Sequence, residues 1–443
     1  MSLAQSISLT SLDLTRFFIA IVLLLFSAHT LGFLFDRAKF PRVIGEIIGG
    51  LLLGPTVLGY FSPNSMNWIF NGTSSETKLL SLISWLGLVL LMFISGFEIK
   101  GTFNREDQKT ATAFLLGATI VPFIIGLTIT RFYNFNSYAG SNSNLFSLSI
   151  IIGIAVAVTS IPVISKIFLD LKIMRSRFAR IVLTIATVED SILYAGLAIA
   201  TGIAGALAPS LGTIAYTVIA TFAFFIAGLF LVPRILFRLS RSRLNVIMES
   251  SHSRFALFLC FLFVAIASVL GVNIVFGAFL AGIAIGTLPP GMFAQAAESI
   301  RKISLATFTA AYFAIVGLQL DLIHQFDVVM FIGFLVLSSA LKSFGALFVG
   351  KIIRKDWLTS LNFAFALNAR GGPGIVLATV AFGAGLISEP FFVTLVLAAI
   401  ITSLIAGYWL RLVLARGWPL MRNGSAVTDE QSVDDHEPAT AES

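Results

Sequence analysis

Glu189 and Asp190 stand side by side in the middle of an apolar stretch, residues 181–202, that is long enough to cross a bilayer. A span takes about 20 mostly apolar residues, and one ionised side chain at the bilayer centre costs roughly 2.5–3.5 kcal/mol on insertion scales. A chain that accepts this cost twice in succession has a use for it. The simplest uses of a buried carboxylate are to hold a cation or to carry a proton. Lys342 and Arg370 also fall near the middle of apolar runs. Unpaired, the four charges would cost on the order of 10 kcal/mol by the same scales, so two negatives should face two positives. Neighbouring residues on a helix point about 100° apart. One acid can therefore face an ion path while the other faces an adjacent helix. We assign Asp190 to the cation path and Glu189 to a pair with Lys342; the swapped assignment stays open. Arg370 should neutralise carbonyl ends at a nearby helix break, or share Glu189.

Oxygen donors for a hard cation come from two interrupted helices. Ala157-Val-Thr-Ser-Ile-Pro-Val163 carries a proline in mid-span, which removes a hydrogen bond and frees a carbonyl. The carbonyls near Val158 and Thr159 and the hydroxyls of Thr159 and Ser160 are the donors expected there. Asn368-Ala-Arg-Gly-Gly-Pro-Gly374 cannot continue a helix either. In lipid, such breaks are tolerated only where they are buried in protein or line a wet cavity. Asn368 and Asn273 are candidates to line the path, and simple packing accounts for each equally well. Lys166 is expected to snorkel to an interface, Glu46 to pair locally with Arg42, and His29 to be a satisfied core residue.

Apolar runs bounded by charges, Gly, Pro or Asn set the elements that must position these groups. They predict an all-α polytopic protein with thirteen spans near 13–35, 43–60, 79–98, 110–131, 146–169, 179–203, 211–237, 254–270, 272–288, 302–322, 327–350, 358–384 and 390–414. Only Gly271–Asn273 separates the eighth from the ninth, and a single long helix there would reverse everything downstream. Charge tests the count. With thirteen spans, 23 Lys and Arg fall on one side and three (Arg16, Lys78, Arg131) on the other. That asymmetry puts the N-terminus outside and the C-terminus in the cytoplasm, in a multi-pass protein of the plasma (inner) membrane. Residues 1–11 form a short extracytoplasmic segment, 12–415 the transmembrane domain and 416–443 an acidic tail expected to be disordered.

The halves repeat. Gly45, Gly50 and Gly54 of the second span match Gly277, Gly282 and Gly286 of the ninth, each offset by 232 residues. Phe93-Ile-Ser-Gly-Phe-Glu-Ile-Lys100 resembles Ile315-Val-Gly-Leu-Gln-Leu-Asp321, and Pro162 matches Pro373. Seven spans separate equivalent helices. Seven is odd, so the two six-helix repeats are inverted, a recurring plan of secondary transporters with midplane sites on broken helices.

Composition excludes other classes. The 443 residues are 57% hydrophobic and 12% charged, against about 25% charged in a soluble domain. The formal charge of +7 sits in loops and speaks for membrane orientation, so no nucleic-acid partner is expected. One cysteine, Cys260, and four scattered histidines offer neither a metal cluster nor a nucleophile–base pair, so no enzyme and no cofactor are expected. Two rivals remain. A cation channel would want a symmetrically repeated filter loop, and none is seen. A proton-coupled carrier of an organic solute would want many aromatics at the site, and only Trp85 and Tyr194 have polar edges close by.

Together, Gly45-Glu-Ile-Ile-Gly-Gly-Leu-Leu-Leu-Gly-Pro-Thr-Val-Leu-Gly59, Phe93-Ile-Ser-Gly-Phe-Glu98, Thr159-Ser-Ile-Pro162, Glu189-Asp190, Val316-Gly-Leu-Gln-Leu-Asp321, Lys342-Ser-Phe-Gly345 and Asn368-Ala-Arg-Gly371 resemble the motifs of the monovalent cation–proton antiporter superfamily. The branch is the second one, of bacterial Na⁺/H⁺ and K⁺/H⁺ antiporters, and the motifs run in family order over residues 12–415. The resemblance implies an elevator-type homodimer. Its moving core would be spans four to six and eleven to thirteen, its scaffold spans one to three and eight to ten, and its linker span seven. It puts the ion-carrying aspartate at Asp190. The partner of the lysine, usually Asp or Asn, falls on Glu189, and this departure leaves stoichiometry and the choice among Na⁺, K⁺ and Li⁺ open.

Overall fold

Inside lipid a chain must satisfy its backbone groups within its own segments, and helices are the way a single apolar run does so. The computed structural model describes residues 10–421 apart from 71–73, 99–104, 134, 175, 205–210, 240–250 and 289–291. Among these residues the chain is helical throughout. Its one extended pairing is an isolated bridge between Ala139 and Ile387. Most of the acidic tail, from residue 422 on, and residues 1–9 of the N-terminal segment lie outside the described residues.

The first part comprises α1 (Ser11–Arg37), α2 (Arg42–Leu53), the short α3 (Leu58–Phe61) and α4 (Pro63–Phe70), and α5 (Ser74–Glu98). Next come α6 (Arg105–Leu115), which passes through a π-helical turn at Leu116–Ile120 into α7 (Val121–Ile129), then α8 (Leu145–Ala157), α9 (Ile161–Asp170) and α10 (Arg177–Gly202). A bridging pair follows, α11 (Leu211–Ile226) and α12 (Val232–Leu239), joined by a second π turn. The second part has α13 (His252–Val269), α14 (Ile274–Gly286), α15 (Ala294–Ile303) and α16 (Thr309–Leu318), the last two joined by a third π turn. It closes with α17 (Val328–Ile352), α18 (Trp357–Leu367), α19 (Gly371–Gly383) and α20 (Glu389–Ala415). Eleven of these helical segments are long and apolar enough to cross a membrane, and Leu145–Ala157 and Ile274–Gly286 are shorter apolar helices.

The runs on either side of Gly271 are two helices, because Gly271 takes φ +69° and turns the chain. The tenth run starts earlier than hydropathy suggests, at Ala294: its polar first turns, with Glu298, Arg301 and Lys302, stay helical ahead of the apolar part.

Two helix crossings are built on glycine. A Cβ on Gly50 of α2 would lie 1.7 Å from the Ala314 carbonyl of α16, and one on Gly282 of α14 would lie 2.1 Å from the Phe93 carbonyl of α5. Close backbone approach of this kind is what small residues permit in membrane helices. Along α10, the apolar side chains before the acid pair (Ile181, Val182, Ile185) join one buried cluster with Phe114, Phe178 and Phe363. Those after it (Leu193, Tyr194, Leu197) join a larger cluster with α5, α14 and α16. The acids therefore sit at the junction of two apolar cores.

Candidate ion-binding site

The helix formed by α8 and α9 is open at Val158–Ser160, and that formed by α18 and α19 at Asn368–Arg370. The two openings touch. The Ser160 amide donates to the Ala369 carbonyl at 2.6 Å, and the Thr159 hydroxyl donates to the Leu367 carbonyl at 2.6 Å. Each break thus satisfies backbone groups that the other has freed, as buried polar groups require. Local sequence explains the geometry. Ser160 caps α9 by accepting from the Val163 amide at 3.3 Å, with Pro162 in the first turn, where a missing N–H costs nothing. Gly371 has φ +33°, and a Cβ there would come within 2.3 Å of Val163 Cγ2 and 2.7 Å of Ser160 Oγ. Only glycine lets the second break close on the first.

Lys342 reaches this crossing from α17. It is fully buried, donates to the Ala157 carbonyl, and lies 2.5 Å from Thr159 Oγ1 and 3.6 Å from Glu189 Oε2. The other Glu189 oxygen, Oε1, accepts from the Thr119 hydroxyl. Thr119 lies in the π turn between α6 and α7, and π turns recur at functional sites. Asp190 is 1% exposed, and among the described residues its Oδ1 has no hydrogen-bond partner.

Other expected members separate into three groups. Asn368 is at the crossing: its amide donates to Ser343 Oγ at 2.9 Å and to the Ala364 carbonyl at 3.0 Å, while its Oδ1 is buried without a partner among the described residues. Arg370 is buried at the second break. None of its guanidinium nitrogens has a hydrogen-bond partner among the described residues, and its guanidinium carbon lies over the Phe334 ring, 5.9 Å from the centroid. Asn273 is elsewhere. It caps α14 through the Val275 amide and donates to Thr201 at 3.2 Å, eleven residues from Asp190 and so about 16 Å along α10. It is a helix cap about three turns along α10 from the acid pair.

Thr159 and Ser160 are at the crossing as expected, but their hydroxyls serve Lys342, Leu367 and Val163. The ammonium of Lys342 thus takes the Thr159 hydroxyl that the sequence offered to a metal ion. Lys166 does reach an interface, where it pairs with Asp36 at 2.9 Å and Asp170 at 3.0 Å, and Glu46 pairs with Arg42 at 3.2 Å.

Two cavities flank the site. One, of about 510 Å³, is lined by Met92 and Ser95 late in α5, Thr309 and Phe313 early in α16, and Gly372 and Pro373 at the start of α19. The other, of about 420 Å³, is lined by Ser84 and Trp85 earlier in α5, Leu318 late in α16, and Thr379 and Gly383 late in α19. They lie toward opposite ends of the same three helices, and neither reaches Glu189 or Asp190.

With this geometry in hand, comparison with known proteins decides the family. The family model described as sodium/hydrogen exchanger, transmembrane, matches residues 21–416. The chain belongs to the sodium/hydrogen exchanger family. Among its relatives are the K(+)/H(+) antiporter 1 of Saccharomyces cerevisiae, 28% identical over 89% of this chain and 46% of the yeast protein. Two others are matched nearly end to end: the Na(+)/H(+) antiporter NhaS4 of Synechocystis, 26% identical over 87% of this chain and 94% of that protein, and the Na(+)/H(+)-K(+) antiporter GerN of Bacillus cereus, 27% identical over 88% and 94%. The chain thus spans about half the length of the yeast relative. Among solved structures, the sodium proton antiporter MjNhaP1 of Methanocaldococcus jannaschii aligns with TM-score 0.64 and 12% identity over 91% of this chain and 99% of that one. This likeness shows that the exchanger-family chain has an antiporter fold. Membership makes it a multi-pass membrane transporter and not an enzyme.

Proposed function

We propose that this exchanger-family protein trades a monovalent cation for protons, with Asp190 as the group both compete for. The observation that carries the reading is the unpartnered, buried carboxylate oxygen of Asp190 beside the crossing of two broken helices. A bare carboxylate is costly away from water. It is relieved either by a proton or by a cation, and the two exclude each other at one site. Glu189 is held by Thr119 and Lys342 and stays in place. Asn368 Oδ1 is the free oxygen nearest in role to a second ligand. Thr159 and Ser160 join the cation only when Lys342 withdraws. Arg370 compensates charge at the crossing without a direct bond. Na⁺ is the first choice of cation, with K⁺ or Li⁺ as alternatives.

The wider reading has thirteen spans, counting α8–α9 and α14 with the eleven long ones, in two inverted repeats. In support, the glycine crossing of α2 on α16 has its counterpart in that of α14 on α5, as a twofold relation between repeats requires. The core is α6–α10 with α17–α20, the scaffold α1–α5 with α13–α16, and α11–α12 is the link. The cavities at either end of the α5/α16–α19 seam suit a core that slides past its scaffold, opening one end and then the other. We place the protein in the plasma (inner) membrane as a homodimer through its scaffold, N-terminus outside and C-terminus in the cytoplasm.

The test is proton flux in proteoliposomes of the full chain, with Na⁺, K⁺ and Li⁺ added in turn, with and without an ionophore voltage clamp. The reading expects at least one cation to drive proton movement, and the clamp reports whether net charge moves. Cation flux with no proton movement would refute it in favour of a channel.

A further inference from the structure

Tyr194 is a buried phenol with no partner for its hydroxyl. The side chain is 4% exposed, and its oxygen has no hydrogen bond among the described residues. Buried hydroxyls are normally bonded, so the orphan calls for an explanation. Its ring is packed against Phe279 of α14 with centroids 4.9 Å apart. Residues four apart share one face of a helix, so Tyr194 stands one turn from Asp190 on the same side of α10. Tyr312 of α16 is a second buried phenol in the same apolar cluster. Tyr312 differs in one respect: its hydroxyl donates to Thr379 Oγ1 at 3.2 Å. A carboxylate oxygen and a phenol oxygen, neither with a partner among the described residues, therefore belong to residues one turn apart on α10, at the junction of the two apolar cores.

We infer that the Tyr194 hydroxyl is a further ligand of the transported alkali cation, held together with the Asp190 carboxylate directly or through one water. This deepens the cation-exchange reading and rests on it. A neutral oxygen adds coordination without adding charge, so Asp190 is still neutralised by one cation or one proton. Its influence falls on cation affinity and on the ranking of Na⁺, K⁺ and Li⁺, where ligand number and spacing decide selectivity between ions of one charge.

The test is Tyr194→Phe in the full chain, which keeps the ring on Phe279 and removes one oxygen. In proteoliposomes the half-saturating concentration of the preferred cation should rise about tenfold, the loss expected for one modest polar contact. The maximal rate should stay within about twofold, since Asp190 still carries the proton, and the Na⁺:K⁺:Li⁺ ranking should change. Tyr312→Phe, whose hydroxyl is already bonded, should leave the half-saturating concentration and the ranking unchanged. In detergent, Tyr194→Phe should melt at or above the wild-type temperature, because it deletes an unbonded polar atom, and should need about tenfold more cation for the same thermal protection. Unchanged affinity and ranking, or a lowered melting temperature with unchanged affinity, would overturn the assignment. Wild-type protein that exchanges no alkali cation for protons would instead overturn the underlying reading, and this one with it.

Discussion

Removing the charge at Lys342 tests how the crossing is held. Lys342→Met keeps most of the side chain's volume and deletes three ammonium contacts: the Ala157 carbonyl, Thr159 Oγ1 at 2.5 Å and Glu189 Oε2 at 3.6 Å. Both charged partners are 0% exposed, so the deletion leaves the Glu189 carboxylate in the apolar junction without its ammonium partner. Breaking a buried pair by removing one partner costs about 3–5 kcal/mol. At about 1.36 kcal/mol per decade, the folded-to-unfolded ratio should fall by roughly 2–4 decades. Neutralising both members is different. Lys342→Met with Glu189→Gln removes the stranded charge and keeps a side chain that Thr119 can bond, so the double variant should return to within about 1–2 kcal/mol of wild type. Unfolding of detergent-solubilised protein, followed by tryptophan fluorescence, measures the cycle. A single variant as stable as wild type, or a double variant as weak as the single, would refute the pairing.

Three further outcomes follow from particular contacts. Thr119→Val deletes the hydroxyl that bonds Glu189 Oε1 and should cost about 1.5–3 kcal/mol, the range for a hydrogen bond to a charged group, read in the same unfolding assay. Gly371→Ala forces a side chain into φ +33° and onto Val163 and Ser160; strain alone of about 1–3 kcal/mol, with the overlap added, should sharply lower the yield of folded protein in size-exclusion profiles. Asp321 lies in the loop after α16. Burial pushes its carboxyl up, but hydrogen bonds from His324 and the Ile323 amide win and hold it below its ordinary value of 3.8. A carboxylate with a lowered folded-state pKa contributes stability above its unfolded pKa and loses it as pH falls through the folded one. Asp321→Asn should therefore destabilise the protein near neutral pH and flatten the part of the acid-unfolding curve below about pH 4, which a thermal series from pH 7 to pH 3 would show.

The acid pair, the two breaks and the lysine that answers Glu189 were legible because each contradicts its apolar surroundings, and hydropathy registers contradiction. Local backbone chemistry was legible too: Pro162 and the Gly371–Gly374 run mark the positions where the helices open. What the sequence withheld is who reaches whom. Lys342 comes from a helix some 180 residues away in sequence from the Ala157 carbonyl it bonds, so its claim on the Thr159 hydroxyl could not be read locally. Thr119 was missed for a related reason. Its π turn is signalled only by Pro122 just beyond it, and a threonine in an apolar run registers as a mild packing residue. For Asn273 the sequence leaves two readings, because an asparagine between two apolar helices fits a cap or a path equally well; its bond to the Val275 amide makes it a cap. Nor does the sequence show which way the long side chain of Arg370 turns; its guanidinium nitrogens have no hydrogen-bond partner among the described residues.

The central claim is that Asp190 alternates between a proton and a cation. The most direct measurement is cation-driven proton movement in proteoliposomes containing Asp190→Asn, beside wild type at equal density and verified folding. The account predicts that the variant, neutral at that position in every state, shows no proton movement in response to Na⁺, K⁺ or Li⁺. Exchange retained at a rate comparable to wild type would contradict it.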